Sequence, residues 1–387
     1  MIRCKSTGLV YTNPRPHLEA VHAWHPSLAY LGGDEFVCAF DLGQAAESLD
    51  YRTFCSRSLD GGRTWDAPQR LLQENGARHT THTVRIAALP SGELIGLGAR
   101  FYRDNPAEGL TNRTTLGFVP MDLILLKSGD GGRTWQRPTD ITPPLDGPAF
   151  EVCHAIVKLA DGRWLAPTQT WPAWDGRSPH GWKAIAFESR DQGRTWPAFL
   201  TVFDASPEPI IHFEQSLVQL ADGRLLAVAW AYDPRTRETL PTPYSVSGDG
   251  ETFSVSRPTG LRGQTAKVLA LRDGRILCVY RRDDKPGLWA QLARLDGDDW
   301  INLEERALWT GDASGSASTN TSDQLSSLKF GFPNMVELPG GNVKLVFWFF
   351  ESCTHNIRWF DLSIAPTTSG PHFSARHAAE GTTLSPS

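Results

Sequence analysis

Polar side chains interrupt apolar runs at recurring places along this 387-residue chain. Two glutamates, Glu151 and Glu214, stand in such places, and a pair of carboxyl groups can supply the acid and the base or nucleophile of glycoside hydrolysis. Three histidines, His82, His154 and His212, occupy similar positions. Histidine can act as the base in β-elimination from a uronic acid, or it can bind a divalent metal. These residue types indicate chemistry on sugars, provided that the fold brings them together.

Six apolar hairpins carry these residues. Each hairpin has two apolar runs joined by a polar turn, and the turn glycines are Gly33, Gly92, Gly162, Gly223, Gly274 and Gly341. The turns recur about every 50 to 70 residues, which is the size of a four-stranded blade with its loops. Glycine and proline are too frequent for long helices. We therefore predict an all-β fold, a six-bladed β-propeller spanning residues 1–365.

A second motif, SxDxGxTW, occurs at residues 58–65, 128–135 and 189–196, with a shorter, degenerate copy at 247–253. This pattern is typical of a β-hairpin turn in which the aspartate accepts hydrogen bonds from turn amides and the aromatic residue packs below. We interpret these aspartates as structural. The motif should join the outer two strands of a blade.

The two ends of the chain have different predicted roles. The segment from Gly8 to Tyr11 is expected to pair with the last blade around Asn356 to Leu362, because an open sheet edge would favour aggregation. Residues 366–387 are rich in Ser, Thr, Pro and Gly and have little to bury. We expect them to form a disordered tail.

Composition limits the classes of partner. The chain has 38 basic and 43 acidic residues without a long run of either sign, so we expect no nucleic-acid partner. No apolar run approaches the roughly 20 residues that span a bilayer, so we expect no membrane partner either. The first residues lack the apolar stretch of a secretory leader, which favours a cytoplasmic location. The six cysteines are far apart and are predicted to be thiols.

On its repeated motif and six hairpins, the chain resembles the sialidase superfamily of bacterial neuraminidase repeat proteins over roughly residues 15–365. In the sialidases of this family, three arginines bind the substrate carboxylate, a Tyr–Glu pair is the nucleophile, and an aspartate is the acid and base. The first arginine lies in an Arg-Ile-Pro motif, and here Trp24-His25-Pro26 stands in its place. Candidates for the nucleophile are Tyr232, Tyr244 and Tyr280.

Binding sites of propellers lie on the axis, where inner strands begin and loops converge. Aligning the hairpins on their turns gives two sets of polar residues. The predicted catalytic residues are Glu151, Glu214, His154 and His212. The predicted substrate-binding residues are His82, Arg85, Arg100, Gln169, Gln264, Lys267, Arg281, Arg282, Trp24 and Asp41. Three further tryptophans, Trp171, Trp174 and Trp230, offer flat faces for stacking on sugars.

Three functions fit these residues. The first is an exo-acting glycoside hydrolase that releases an acidic or deoxy sugar. The second is a lyase that acts on a uronic acid through histidine and arginine. The third is a non-catalytic carbohydrate-binding propeller. Each implies a glycan or oligosaccharide partner. No cofactor is predicted, although a divalent metal at the histidines stays open, and the sequence leaves the oligomeric state unknown.

Overall fold

A computed structural model describes residues 1–73, 76–282, 284–285, 287–311 and 329–365, and these residues form 26 β-strands and no helix. The strands make six antiparallel sheets, and the prediction of an all-β six-bladed propeller is confirmed. Within the described ranges, no helix has the length and apolarity needed to cross a membrane. The predicted disordered tail, residues 366–387, lies outside the described residues.

The first three blades contain strands β2 to β14. Blade 1 consists of β2 (His22–Gly32), β3 (Glu35–Gly43), β4 (Arg52–Ser58) and β5 (Gln69–Arg70). Blade 2 consists of β6 (Thr80–Ala88), β7 (Leu94–Tyr102), β8 (Met121–Ser128) and β9 (Thr139–Ile141). Blade 3 consists of β10 (Ala149–Glu151), β11 (Val157–Lys158), β12 (Trp164–Trp171), β13 (Lys183–Ser189) and β14 (Ala198–Asp204).

The other three blades contain the remaining strands. Blade 4 consists of β15 (Ile211–Gln219), β16 (Leu225–Asp233), β17 (Glu238–Thr239), β18 (Pro243–Ser247) and β19 (Arg257–Pro258). Blade 5 consists of β20 (Gly263–Ala270), β21 (Ile276–Arg282), β22 (Leu288–Asp296) and β23 (Asp299–Trp309). Blade 6 consists of β24 (Phe330–Glu337), β25 (Asn342–Glu351), β26 (Thr354–Ile364) and β1 (Ile2–Tyr11).

The blades form a closed ring. Strand β1, from the start of the chain, pairs with β26 as the fourth strand of blade 6, with Gly8 opposite Trp359 and Tyr11 opposite Ile357. The predicted closure of the ring is thus confirmed. Inner strands of successive blades contact one another, and β24 of blade 6 contacts β2 of blade 1. Because six blades surround one axis, blades 1 and 4 lie on opposite sides of it.

Apolar side chains fill the spaces between blades. Val37 of blade 1, for example, packs with Val84, Ile86 and Leu94 of blade 2, and all four are at most 2% exposed. Burial of each such side chain contributes about 1.5–3 kcal/mol. The inner strands are apolar on both faces because each blade is covered on both sides, which explains their near-continuous hydrophobic pattern.

The SxDxGxTW motif forms the predicted turn between the third and fourth strands of blades 1 to 3. In the third copy, Asp191 accepts hydrogen bonds from the Thr195 amide at 2.9 Å and from the Thr195 hydroxyl at 2.7 Å. The Gly193 amide donates to the Ser189 hydroxyl at 2.8 Å. Trp196 packs below the turn and is 4% exposed. The degenerate fourth copy also closes its turn through an aspartate.

Four inner strands contain a β-bulge near the axis, in β2, β15, β20 and β24. Each bulge has one residue in the left-handed region of backbone space, and these residues are His25, Glu214, Thr265 and Phe332, with φ between 50° and 52°. An extra residue at a bulge changes which face the following side chains occupy. The bulges therefore decide which polar residues reach the axis.

Candidate functional site

A cavity of about 590 Å³ lies at the end of the axis where the inner strands begin. Its walls are mainly aromatic and include Trp24, Phe118, Trp171, Phe213, Trp230 and Trp348. The chargeable residues that line it are His22, His25, Glu47, Arg113, Glu151, Glu214, Arg281 and His355. Such a mixture of flat apolar faces and a few polar groups suits a sugar ring, which has apolar faces and a polar rim.

Two glutamates from neighbouring blades line this cavity. Glu151 ends β10, and Glu214 is the bulge residue of β15 in the next blade. The amide of Glu214 donates to Oε2 of Glu151 at 3.1 Å. Burial, together with the charge of Glu214, raises the pKa of Glu151 to about 7. Glu151 can therefore hold a proton near neutral pH, as a general acid must.

Gln169 and Lys267 support the glutamate pair from outside the cavity lining. The side-chain amide of Gln169, in the orientation that satisfies both of its polar atoms, donates to Oε2 of Glu151 at 3.1 Å and to the carbonyl oxygen of His212 at 2.8 Å. Nζ of Lys267 donates to the carbonyl oxygens of Glu214 at 2.9 Å and Cys153 at 3.0 Å. Both predicted binding residues thus position the glutamates.

Arg281 lines the cavity although its side chain is only 1% exposed. Its Nε donates to Oε1 of Gln264 at 2.8 Å, and its Nη1 donates to the carbonyl oxygen of Phe330 at 2.6 Å. Nη2 has no hydrogen-bond partner among the described residues. A Cβ at Gly331 would collide with Nη1, so glycine is required there. Burial lowers the pKa of Arg281 to about 10, and the guanidinium remains charged at neutral pH.

Asp41 and Arg85 form a buried ion pair behind the wall of the cavity. Nη1 of Arg85 lies 3.1 Å from Oδ2 of Asp41, and neither residue lines the cavity. Burial would raise the pKa of Asp41, but Arg85 and a hydrogen bond from His25 hold that pKa well below its usual value. Asp41 is therefore ionised and acts on the site through His25.

The three predicted histidines do not meet. His154 lines a second cavity of about 580 Å³ at the opposite end of the axis, together with Lys267. His212 is buried against the ring of Phe203, with centroids 5.0 Å apart, and burial lowers its pKa to about 4. His82 is buried in β6 away from either cavity. Within the described ranges, no three His, Cys, Asp or Glu side chains are placed to hold a metal.

Two predicted arginines lie away from the cavity in surface ion pairs. Nη2 of Arg100 is 2.8 Å from a carboxylate oxygen of Asp122 and of Asp140. Arg282 pairs with Glu305 at 2.8 Å and also with Asp284. Arg282 follows Arg281 in β21, and alternation along a strand sends the two side chains to opposite faces.

The BNR repeat-like domain matches residues 35–345 of this chain. The chain belongs to the BNR repeat-like family. Among solved structures, it is similar to a protein of unknown function from Dyadobacter fermentans, with 21% identity over 94% of this chain and 99% of that one, at a TM-score of 0.72. No curated protein sequence matches it.

Sialidases are also among the similar structures. The NanB sialidase from Streptococcus pneumoniae is 14% identical over 92% of this chain and 70% of that one, with a TM-score of 0.65. A Trypanosoma rangeli sialidase in complex with sialic acid is 13% identical over 88% of this chain, which spans about half (54%) of that protein, with a TM-score of 0.61. These likenesses show that the BNR repeat-like chain has the fold of sialidase propellers.

The lining of this BNR repeat-like propeller differs from the sialidase pattern. Tyr232, Tyr244 and Tyr280 all lie outside the cavity, and no tyrosine is among the described residues that line it. Tyr244 donates to the carbonyl oxygen of Asp298, and Tyr280 to Glu305. Trp24 lines the cavity where the family's sialidases have an arginine.

Part of the cavity lining was predictable from the sequence. Glu151, Glu214, Arg281 and Trp24 were predicted and line the cavity, as do Trp171 and Trp230, whereas Trp174 does not. The missed lining residues with polar side chains include His22, His25, Glu47, Arg113 and His355. A proline inside an inner strand usually marks a bulge, so Pro26 is the signal that could have pointed to His25.

Proposed function

We propose that the protein is an exo-acting glycoside hydrolase that releases an acidic or deoxy sugar from the end of a glycan, with Glu151 as proton donor. The carboxyl group of Glu151 in an aromatic cavity, contacted by the backbone amide of Glu214 and influenced by the charge of Glu214, carries this proposal. With a pKa raised to about 7 by burial and by Glu214, Glu151 can protonate the leaving oxygen near neutral pH.

The shape of the cavity supports action at a chain end. The Phe332 ring lies 5.1 Å from the ring of His25, which lines the cavity, and 4.7 Å from Nζ of Lys267, which lines the second cavity. Phe332 therefore lies between a lining residue of one cavity and a lining residue of the other. A pocket that is closed below accepts the end of a glycan more readily than its middle.

The charge of the cavity supports an acidic sugar. Nη2 of Arg281 is buried and lacks a hydrogen-bond partner among the described residues, and leaving a charged donor unsatisfied is costly. A substrate carboxylate would satisfy it. Two structurally similar proteins are named sialidases, and one was solved with sialic acid, which also supports an acidic substrate.

The lyase alternative was built on His82, His154 and His212, and these residues lie apart from one another and outside the cavity. A non-catalytic binding propeller would need the aromatic walls and Arg281 but not the raised pKa of Glu151. The glutamate pair therefore favours a hydrolase over both alternatives.

A substrate screen tests the proposal. Purified protein is incubated with aryl glycosides of acidic and deoxy sugars and with uronate oligosaccharides, and both released sugar and ultraviolet absorbance from an unsaturated product are measured. We expect released sugar without absorbance. Glu151→Gln should lower kcat by about 100-fold or more, because proton donation contributes that much. Exposed Glu238→Gln is the matched control.

Two outcomes would contradict the proposal. Unsaturated product would identify a lyase. Binding of a glycan without turnover on the whole panel would identify a binding protein. Aryl glycosides with a very good leaving group should be less sensitive to Glu151→Gln than natural glycans, since they need less protonation.

A further inference from the structure

His25 occupies the bulge of blade 1 that corresponds to the Glu214 bulge of blade 4, and both residues have left-handed backbone conformations. Both line the cavity. Because blades 1 and 4 are opposite one another in the ring, His25 and Glu214 face the cavity from opposite sides, and Glu151 faces it from blade 3. A non-glycine residue in this conformation is strained, and such strain is concentrated at functional sites.

The hydrogen bonds around His25 fix its tautomer. The Tyr51 hydroxyl donates to Oδ2 of Asp41 at 2.7 Å, so its oxygen accepts the proton on Nδ1 of His25, which lies 2.8 Å away. Nδ1 is also 3.4 Å from Oδ2 of Asp41. With Nδ1 protonated, Nε2 of the neutral ring has a lone pair. Nothing in the described parts of the chain is hydrogen-bonded to Nε2.

Asp41 is itself held firmly. It accepts hydrogen bonds from the Thr53 hydroxyl at 2.6 Å, from the Thr83 hydroxyl at 2.8 Å and from Arg85 at 3.1 Å. These donors come from blade 1 and blade 2, so the carboxylate cannot easily turn away. A histidine held by a buried carboxylate, with its other nitrogen left for the ligand, has the arrangement of a general base.

We propose that His25 is the general base that activates water in this hydrolase, and that the reaction inverts the configuration at the anomeric carbon. This inference rests on the proposed function. Nε2 of His25 takes a proton from water as the water oxygen bonds to the anomeric carbon. The glycosidic C–O bond breaks, and its electron pair stays on the leaving oxygen, which takes the proton of Glu151. Both groups then return to their starting states by exchanging a proton with solvent.

The position of the two groups supports inversion. Water activated from the wall of blade 1 attacks the anomeric carbon, while Glu151 protonates the leaving oxygen from the separate wall of blade 3. Inverting hydrolysis needs such a separation, because water must fit between the base and the sugar. No tyrosine among the described lining residues offers the nucleophile that a retaining path of the sialidase type would use.

The other two lining histidines are arranged differently. His22 and His355 face each other, with their Nδ1 atoms 2.9 Å apart, and His22 also accepts a hydrogen bond from the His355 amide. His22 stacks on Trp24, with ring centroids 5.3 Å apart. Both rings therefore belong to the aromatic wall where blades 1 and 6 meet.

Charged and titratable groups of several blades surround His25. They are Asp41 on β3, Tyr51 in the loop before β4, Arg85 on β6 and Lys267 on β20, with Glu151, Glu214 and Arg281 across the cavity. As an acid, Glu151 acts only when protonated, so activity should fall as the pH rises through about 7.

The first experiment follows the anomer that is formed first. The best substrate from the screen is hydrolysed in an NMR tube, and the spectrum is recorded before the released sugar mutarotates. Inverted configuration is the expected result. Retained configuration would overturn the inference but leave the proposed hydrolase intact.

The second experiment compares His25→Gln with the control His17→Gln, which changes an exposed histidine. We expect His25→Gln to lower kcat by about 100-fold or more without lowering the melting temperature. Added imidazole should restore part of the activity of His25→Gly. A kcat within threefold of the wild type, with an unchanged pH profile, would overturn the inference.

Tyr51→Phe tests the fixed tautomer. Without the hydroxyl, Nδ1 loses its acceptor, so kcat should fall by about tenfold while KM changes little. A fall in KM or stability alone would show only a structural role and would count against the inference. If the wild type releases no sugar from any substrate, the proposed function itself fails.

Discussion

The outer turns and the axial bulges of this propeller use the same left-handed backbone conformation in different ways. In the outer SxDxGxTW turns, Gly62, Gly132 and Gly193 adopt it at φ of 78° to 82°. Near the axis, His25 and Glu214 adopt it at about 50°. Glycine is used where only the backbone matters, whereas the axial positions accept strain to present a particular side chain. The repeated residues thus build the fold, and the variable ones at the bulges define the site.

Replacing the bulge residue Glu214 with glycine, the residue that the outer turns use, should have the largest effect on turnover. Glu214→Gly relieves the strained backbone and removes a carboxylate beside Glu151, so the melting temperature should equal or exceed that of the wild type. Turnover should fall by about 100-fold, because the charge of Glu214 helps to raise the pKa of the proton donor Glu151. Thermal unfolding and initial rates on the same preparation measure both. A large loss of stability would show that Glu214 is needed for folding.

Replacing a turn glycine with a residue that has a side chain should affect only stability. At Gly193, an added Cβ would lie 2.8 Å from Cδ2 of Leu125, in a conformation that alanine disfavours. Gly193→Ala should therefore lower the free energy of unfolding by about 1–2 kcal/mol. Urea denaturation measures this change. If kcat of the folded protein also fell, the separation between turns and bulges would be incorrect.

Arg281 and Arg282 are adjacent on β21, and replacing each of them should have a smaller effect on the kinetics. Arg281→Lys should raise KM for an acidic substrate by about tenfold, because lysine lacks the planar fork that binds a carboxylate. Arg282→Lys should leave kcat and KM within about twofold, since Arg282 pairs with surface carboxylates. Steady-state kinetics on an acidic and a neutral aryl glycoside distinguish them. Equal effects of the two variants would contradict the placement of Arg281 in the cavity.

The smallest effects should be two gradual changes of stability with pH. In the turns, hydrogen bonds from Thr134 and Thr195 lower the pKa of Asp130 and Asp191 to about 2. These aspartates bind fewer protons when folded, so stability should be lost as the pH falls from about 4 to about 2. Glu151 has the opposite shift, so stability should decrease as the pH rises from about 4.5 to about 7.

Unfolding by urea at a series of pH values separates these two changes. Glu151→Gln should remove the decrease between pH 4.5 and 7 and leave the decrease below pH 4. A decrease of equal size in that variant would show that Glu151 does not cause it.

The fold was predictable because its determinants are local and repeated. Each turn motif closes its own hairpin, and each apolar hairpin pattern indicates strands that are covered on both faces. Ring closure also followed from the need to cover an edge strand. All six cysteines are free, as predicted, although Cys4 and Cys353 are exposed.

The site was only partly predictable because the bulges break the simple alternation of faces. Glu151, Glu214, Arg281 and Trp24 come together as predicted. An alignment on the hairpin turns could not show that His154 faces the far end of the axis, because the inner strand of blade 3 is irregular between β10 and β11. His25 was missed because its importance depends on Tyr51 and Asp41, which lie 26 and 16 positions further along the chain.

The pairing of β1 with β26 also affects how the protein folds in the cell. Strand β1 is synthesised before β26, its hydrogen-bonding partner. The edge of β1 therefore has no partner strand until residues 354–364 have left the ribosome. Blades 1 to 5 can form during translation, but the ring of blades closes only after β26 has been synthesised. A nascent chain that stalls in blade 6 would therefore present two open edges to its neighbours.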